Sequence, residues 1–259
     1  MINNNPIGLF DSGIGGTSIW KEIHQLLPNE DTIYLADSKN APYGEKSKEE
    51  IIYLSSKNTE LLLSKNCKLI VVACNTATTN AIKELRAKYD IPFIGIEPAI
   101  KPAALHSATQ KIGILATKGT LNSELFYKNV EQFQDIQIIE QIGFGLVELI
   151  ENGKINTLEM EHLLSQYLTP MIQSNIDYLV LGCSHYPYLI PQIKKIIPSS
   201  ITIIDSGEAV AKQTKKIITE KIGFREIPEK SKQQFYTNTH PKVLADILEN
   251  KYNVIQSDF

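Results

Sequence analysis

From Ile7 onward, short apolar runs alternate with amphipathic stretches of helix length, the pattern of β-α units that feed a parallel sheet. The first run is Ile7 to Phe10. After Asp11-Ser12-Gly13, apolar residues at Ile19, Ile23, Leu26 and Leu27 keep helical spacing until Pro28 ends them. A second strand is predicted at TIYLAD, from Thr32. Ser47 with Glu50 three residues on forms a capping box, opening a helix that carries Ile51, Leu54, Leu61 and Leu62. The run LIVVA (69–73), a helix from Asn75 and Thr76 through Leu85, and the strand IPFIGI from Ile91 complete a unit of four strands.

That order of strand endings recurs further along. Ile7-Gly8-Leu9-Phe10 resembles Ile112-Gly113-Ile114-Leu115 at an offset of 105, and LIVVACNTA resembles YLVLGCSHY, with Cys74 on Cys183, at an offset of 109. TIYLAD corresponds loosely to Ile136 to Ile139, and IPFIGIEPA to SITIIDSGE. The predicted fold class is therefore α/β, with two pseudo-symmetric lobes, each a mainly parallel sheet flanked by helices, and the active site in the cleft between them. Boundaries near Pro98 to Pro102 and Ser206 to Gln213 divide the chain into 1–98 plus 210–259 for the N-terminal lobe and 99–209 for the second. The tail, read as a helical segment, a short FYTNTH stretch and another helix, is expected to return to the first lobe.

Composition narrows the function classes. The 259 residues suffice for one or two domains, and 42% hydrophobic with 21% charged residues exclude a mainly disordered chain. No run approaches a membrane span, and the start MINNNPIGLF lacks signal-peptide order, so no membrane association and a cytoplasmic location are expected. A net charge of -3 with scattered lysines argues against nucleic acid as a partner. The two arginines, Arg86 and Arg225, lie away from the polar clusters, so an acidic ligand is not expected to meet an Arg fork. Three cysteines without a C-x-x-C pair exclude a disulfide framework and a zinc ribbon, and no metal site is expected.

In open α/β sheets, ligands bind beyond the carboxyl ends of strands, where following helices present free N–H groups. Asp11-Ser12, Asn75-Thr76 and Ser184-His185 all follow apolar strands and should line one cleft, although each pair alone is also what a helix cap supplies. Cys74 and Cys183 hold equivalent places in the two lobes, at the positive end of a helix, where a thiol pKa is expected to fall. Two sulfurs facing a ligand from opposite sides suit two-base proton transfer at a stereocentre. Cys67, ahead of its strand, is read as structural. DSGIGG (11–16) fits neither nucleotide-binding glycine pattern, but its N–H groups could meet a carboxylate. Pro42-Tyr43-Gly44 lies in a loop beside the cleft, and His185 could tune the Cys183 thiol.

DSGIGG, NAPYGEKS, VVACNTAT and LGCSHYP, in this order, resemble the glutamate racemases of the aspartate/glutamate racemase superfamily. The resemblance implies cofactor-independent interconversion of L- and D-glutamate, supplying D-glutamate for peptidoglycan, by a two-lobed enzyme that forms a homodimer. It implies Cys74 and Cys183 as the acid/base thiols. Asp11, Ser12, Tyr43, Gly44, Asn75, Thr76, Ser184 and His185 would hold the small-molecule substrate, with Thr117 and Thr120 as further hydroxyl donors. Ser184 stands where these enzymes usually carry Thr. Because QIGFGLVELIENG lacks the Cys-Pro that often precedes a similar segment, Glu151 is left out of the site. Three other readings stay open: a thiol hydrolase or transferase using Cys183 and His185, a small-anion binding module, and an aspartate racemase.

Overall fold

The computed structural model describes residues 2–226 and 229–259. Ten strands follow in chain order: β1 Ile7–Asp11, β2 Thr32–Ala36, β3 Leu69–Val72, β4 Phe93–Gly95, β5 Lys111–Ala116, β6 Gln137–Ile142, β7 Tyr178–Gly182, β8 Thr202–Ile204, β9 Gln233–Thr237 and β10 Val254–Gln256. They form two wholly parallel sheets, one ordered β10-β9-β2-β1-β3-β4 and the other β6-β5-β7-β8. Within the first, β2-β1-β3-β4 repeats the order of the second. Register agrees: Ile7 pairs with Leu69 where Ile112 pairs with Tyr178, the same residues that the two sequence offsets align. The duplicated α/β architecture is thus borne out strand by strand.

Side chains alternate across the strands, so each sheet buries both faces. On one face of the larger sheet Phe10, Leu35, Ile70 and Val72 meet Ile51, Leu54 and Leu62 of the helix Lys48–Ser64. That helix starts at the predicted capping box, with Glu50 N donating to Ser47 Oγ at 3.2 Å. On the other face Leu9, Tyr34 and Val71 meet Ile19, Trp20 and Ile23 of the helix Thr17–Leu26. This second core continues through Leu146 and Ile150 to Leu179, Leu181 and Ile193 beside the smaller sheet, so one apolar body joins the two halves. The remaining face of the smaller sheet packs Ile112, Ile114 and Val180 on Ile100, Ala103 and Phe126.

Two strands at the tail were not anticipated as strands. β9, overlapping FYTNTH, pairs with β2 along its whole length, and β10 adds three residues at the edge. Ahead of the strands, at the end away from the cleft, a buried ionic cluster ties the tail down. Lys68 Nζ lies 2.6 Å from Glu30 Oε2 and donates to Asn3 O at 2.7 Å, while Arg225 N donates to Glu30 Oε1 at 2.9 Å.

Candidate active site

Parallel strands in both sheets bring Asp11, Cys74, Thr117 and Cys183 to carboxyl ends that face one another. Cys74 is the N-cap of the helix Asn75–Lys88, and its Sγ accepts from Ala77 N at 3.4 Å while lying 3.8 Å from Ser12 Oγ. Burial first, then the neighbouring Asp11 carboxylate, push this thiol well above its ordinary range. The expectation of a thiol made acidic by a helix terminus is corrected here. Water is excluded on every side, and removing water penalises a thiolate more than the helix N–H groups reward it.

Cys183 does not begin an α-helix. Ser184 and His185 lead instead into a 3₁₀ turn, Tyr186–Leu189, ahead of the helix Ile190–Ile196. The imidazole takes the place of helix N–H groups, with His185 Nδ1 3.8 Å from Cys183 Sγ and Nε2 2.6 Å from Glu151 Oε1. Burial works against a charged ring, but the hydrogen bonds to Cys183 and Glu151 and the nearby Asp11 outweigh it, holding His185 well above the usual histidine range. Asp11 Oδ1 accepts from Ser184 Oγ at 3.0 Å and Oδ2 from Gly13 N at 3.1 Å. Burial pushes its carboxyl up, against the attraction of His185.

Glu151, set aside in the sequence, stands at the centre of this arrangement. It ends the helix Leu146–Glu151 and crosses to the other half, where Oε1 accepts from Ile14 N at 2.7 Å and Oε2 from Ser38 Oγ at 2.7 Å. The glycines of DSGIGG give it room. A Cβ at Gly13 would fall 1.9 Å from Glu151 Oε1, and one at Gly15 would fall 2.2 Å from His185 Nδ1. The loop is thus a socket for a carboxylate and an imidazole. We expect Gly13→Ala to lower kcat/KM about 10²-fold with the fold intact, since misplacing such a pair by an ångström costs that much. Circular dichroism with steady-state kinetics checks this, and near-normal kcat/KM would show that the socket is idle.

On the other side of the cleft, Thr76 Oγ1 lies 2.8 Å from Thr117 Oγ1 and 3.3 Å from Thr120 Oγ1, joining the halves through hydroxyls. Gly44 sits against Thr117, at a distance a Cβ would reduce to 2.8 Å. Tyr43 is buried and its Oη donates to Asp37 Oδ2 at 2.5 Å. Asn75 is 2% exposed, and neither its Nδ2 nor its Oδ1 has a hydrogen-bond partner. A buried amide with both ends free is costly unless a ligand completes it. The two cysteines, the eight residues expected to hold the substrate, and Thr117 and Thr120 therefore lie around one cleft or in the loop that borders it. At the rim, among Pro42, Gly44, Thr117, Lys118, Phe144 and Glu148, remains a cavity of about 20 Å³, space for about one water. Among the described residues no helix is long and apolar enough to cross a membrane.

The family model described as Asp/Glu/Hydantoin racemase matches residues 7–214. A glutamate racemase from Herpetosiphon aurantiacus is 42% identical over 218 residues, 84% of this chain and 86% of the relative. One from Pseudomonas putida is 39% identical over 250 residues, 96% of this chain and 94% of its own. Among solved structures, the Escherichia coli glutamate racemase in complex with L-glutamate and the activator UDP-MurNAc-ala superposes with a TM-score of 0.87 at 31% identity, covering 97% of both chains. The Francisella tularensis glutamate racemase in complex with D-glutamate gives 0.85 at 28% identity, covering 98% of both.

Proposed function

The chain belongs to the Asp/Glu/hydantoin racemase family, and from that membership we propose that it racemises glutamate through two thiols, without a cofactor, supplying D-glutamate for peptidoglycan. The observation that carries this reading is the equivalence of Cys74 and Cys183, which stand at matching register in two copies of one α/β unit. A planar carbanion can then be approached by one sulfur on each face.

In the forward direction one thiolate takes the Cα proton and becomes a thiol. The opposite thiol gives its proton to the other face and becomes a thiolate, so configuration inverts and charge is conserved. An amino-acid Cα–H is far less acidic than a thiol, so the developing negative charge must be met by donors in a dry site. Ser12, Asn75, Thr76 and Ser184 supply such donors around the cleft, and the amide of Asn75 has both of its ends unspent. His185, held between Cys183 and Glu151, is placed to pass a proton to or from that sulfur, and Asp11 lies beside Cys74. Cys74 and Cys183 are both buried, at 3% and 6% exposure, so a substrate can come between them only if the halves 1–98 with 210–259 and 99–209 part and close again. In this reading the enzyme works in the cytoplasm as a homodimer.

The test is purified protein with L-glutamate in D2O and no added cofactor, followed by circular dichroism and by NMR at Cα. We expect optical activity to vanish as deuterium enters Cα. Silence in both signals from folded, reduced protein would overturn glutamate as substrate, and aspartate under the same conditions decides between the two racemases.

A further inference from the structure

Asp37 follows β2 directly and is 1% exposed, yet no cation touches it among the described residues; amides and a phenol satisfy it instead. Its Oδ2 accepts from Tyr43 Oη at 2.5 Å, and its Oδ1 accepts from Asn40 Nδ2 at 2.8 Å and from Asn238 Nδ2 at 2.5 Å. Asn58 Nδ2 stands 3.2 Å from Tyr43 Oη and closes the ring of donors. Burial pushes the Asp37 carboxyl up, and the bonds from Tyr43, Asn40, Asn238 and Asn58 pull against it.

Asn238 is the distant member. It lies just past β9, is 6% exposed, accepts from Lys39 N at 2.8 Å through its Oδ1, and donates to the carbonyl of Phe259 at 3.4 Å. It therefore grips the segment 37–45 by side chain and backbone at once. That segment carries Tyr43 and Gly44 to the cleft, where Gly44 meets Thr117. Asn238 also lies outside residues 7–214, the part of the chain that the family model matches. We propose that Asp37 and Asn238 are positioning residues, and that the C-terminal segment completes the substrate site by holding the Tyr43–Gly44 loop against it.

The proposal rests on the racemase reading for its substrate but not for its geometry, and two measurements keep these apart. Hydrogen exchange of the amides in 38–45 reads the loop without substrate. In Asn238→Ala we expect these amides to exchange about tenfold faster, with the rest of the larger sheet unchanged. Steady-state kinetics reads the site. KM for both enantiomers should rise about tenfold, with kcat within threefold of wild type, since binding geometry and not the thiols is disturbed. Tyr43→Phe frees the same carboxylate from the loop side without touching the tail, and it should raise KM similarly. The double variant should cost no more than the larger single one, because both act through one carboxylate. Unchanged exchange in 38–45, or KM effects that add in full, would overturn the proposal. Wild-type protein inactive on glutamate would overturn the racemase reading instead, and loop exchange would still decide the role of Asn238.

Discussion

If racemisation runs through two thiols, Cys74→Ala and Cys183→Ala should each lower it in both directions by about 10²- to 10⁴-fold, the contribution of a positioned acid or base. The loss is not the whole signature. Each variant keeps one sulfur, which can still lift a proton from the enantiomer that presents Cα–H to it and return one to the same face. In D2O one enantiomer should therefore gain deuterium without inverting, a different one for each variant, and NMR with chiral chromatography separates the two events. Cys67→Ala is the control. That thiol is buried under Gly8 and pushed up to about 12 by its surroundings, so its removal should leave the rate within twofold. Racemisation above a tenth of the wild-type rate in either cleft variant would refute the two-thiol reading.

Lys68→Met is expected to destabilise the protein by about 3–5 kcal/mol, the usual cost of removing one partner of a buried ion pair. Both side chains of the Lys68–Glu30 pair are almost wholly buried, at 0% and 3% exposure, so the orphaned Glu30 has no water to turn to. For a chain of this size the loss corresponds to a melting temperature lower by about 6–20 °C. Replacing Glu30 as well, in Lys68→Met/Glu30→Leu, should recover part of the loss, because no charge is then left alone. A fall of less than about 2 °C in the single variant would mean that the cluster is not what fastens the tail. Catalysis should be little affected at moderate temperature, since these residues lie at the strand ends away from the cleft.

What could be read in the sequence was what neighbouring residues decide. Strand ends are apolar runs that stop at polar caps, so Cys74 and Cys183, each next to such an end, stood out together with the residues beside them. The repeat was legible because both copies keep the same register of short apolar runs. Glu151 was not, since its partners Ile14 and Ser38 are more than a hundred positions away and its own surroundings look like an ordinary amphipathic helix end. The acidity expected of Cys74 failed for a related reason. A helix terminus is local and visible, whereas the burial that opposes it comes from tertiary packing, Cys74 sharing one apolar cluster with Phe10, Leu35 and Tyr43. β10 is too short to announce itself, and the placement of β9 beside β2 depends on a pairing between segments some two hundred residues apart.

The two halves of the cleft are built on one plan but furnished differently, with Asp11 beside one sulfur and His185 with Glu151 beside the other. Mirror-image amino acids have equal free energies in water, so the equilibrium constant of the proposed reaction is unity whatever the site looks like. The Haldane relation then obliges kcat/KM to be the same for L- and D-glutamate. Unequal furnishing can show only as kcat and KM moving together, with one hand bound more tightly and released more slowly. Evolution of either wall can set which hand occupies the enzyme at rest, and it cannot make the reaction run one way.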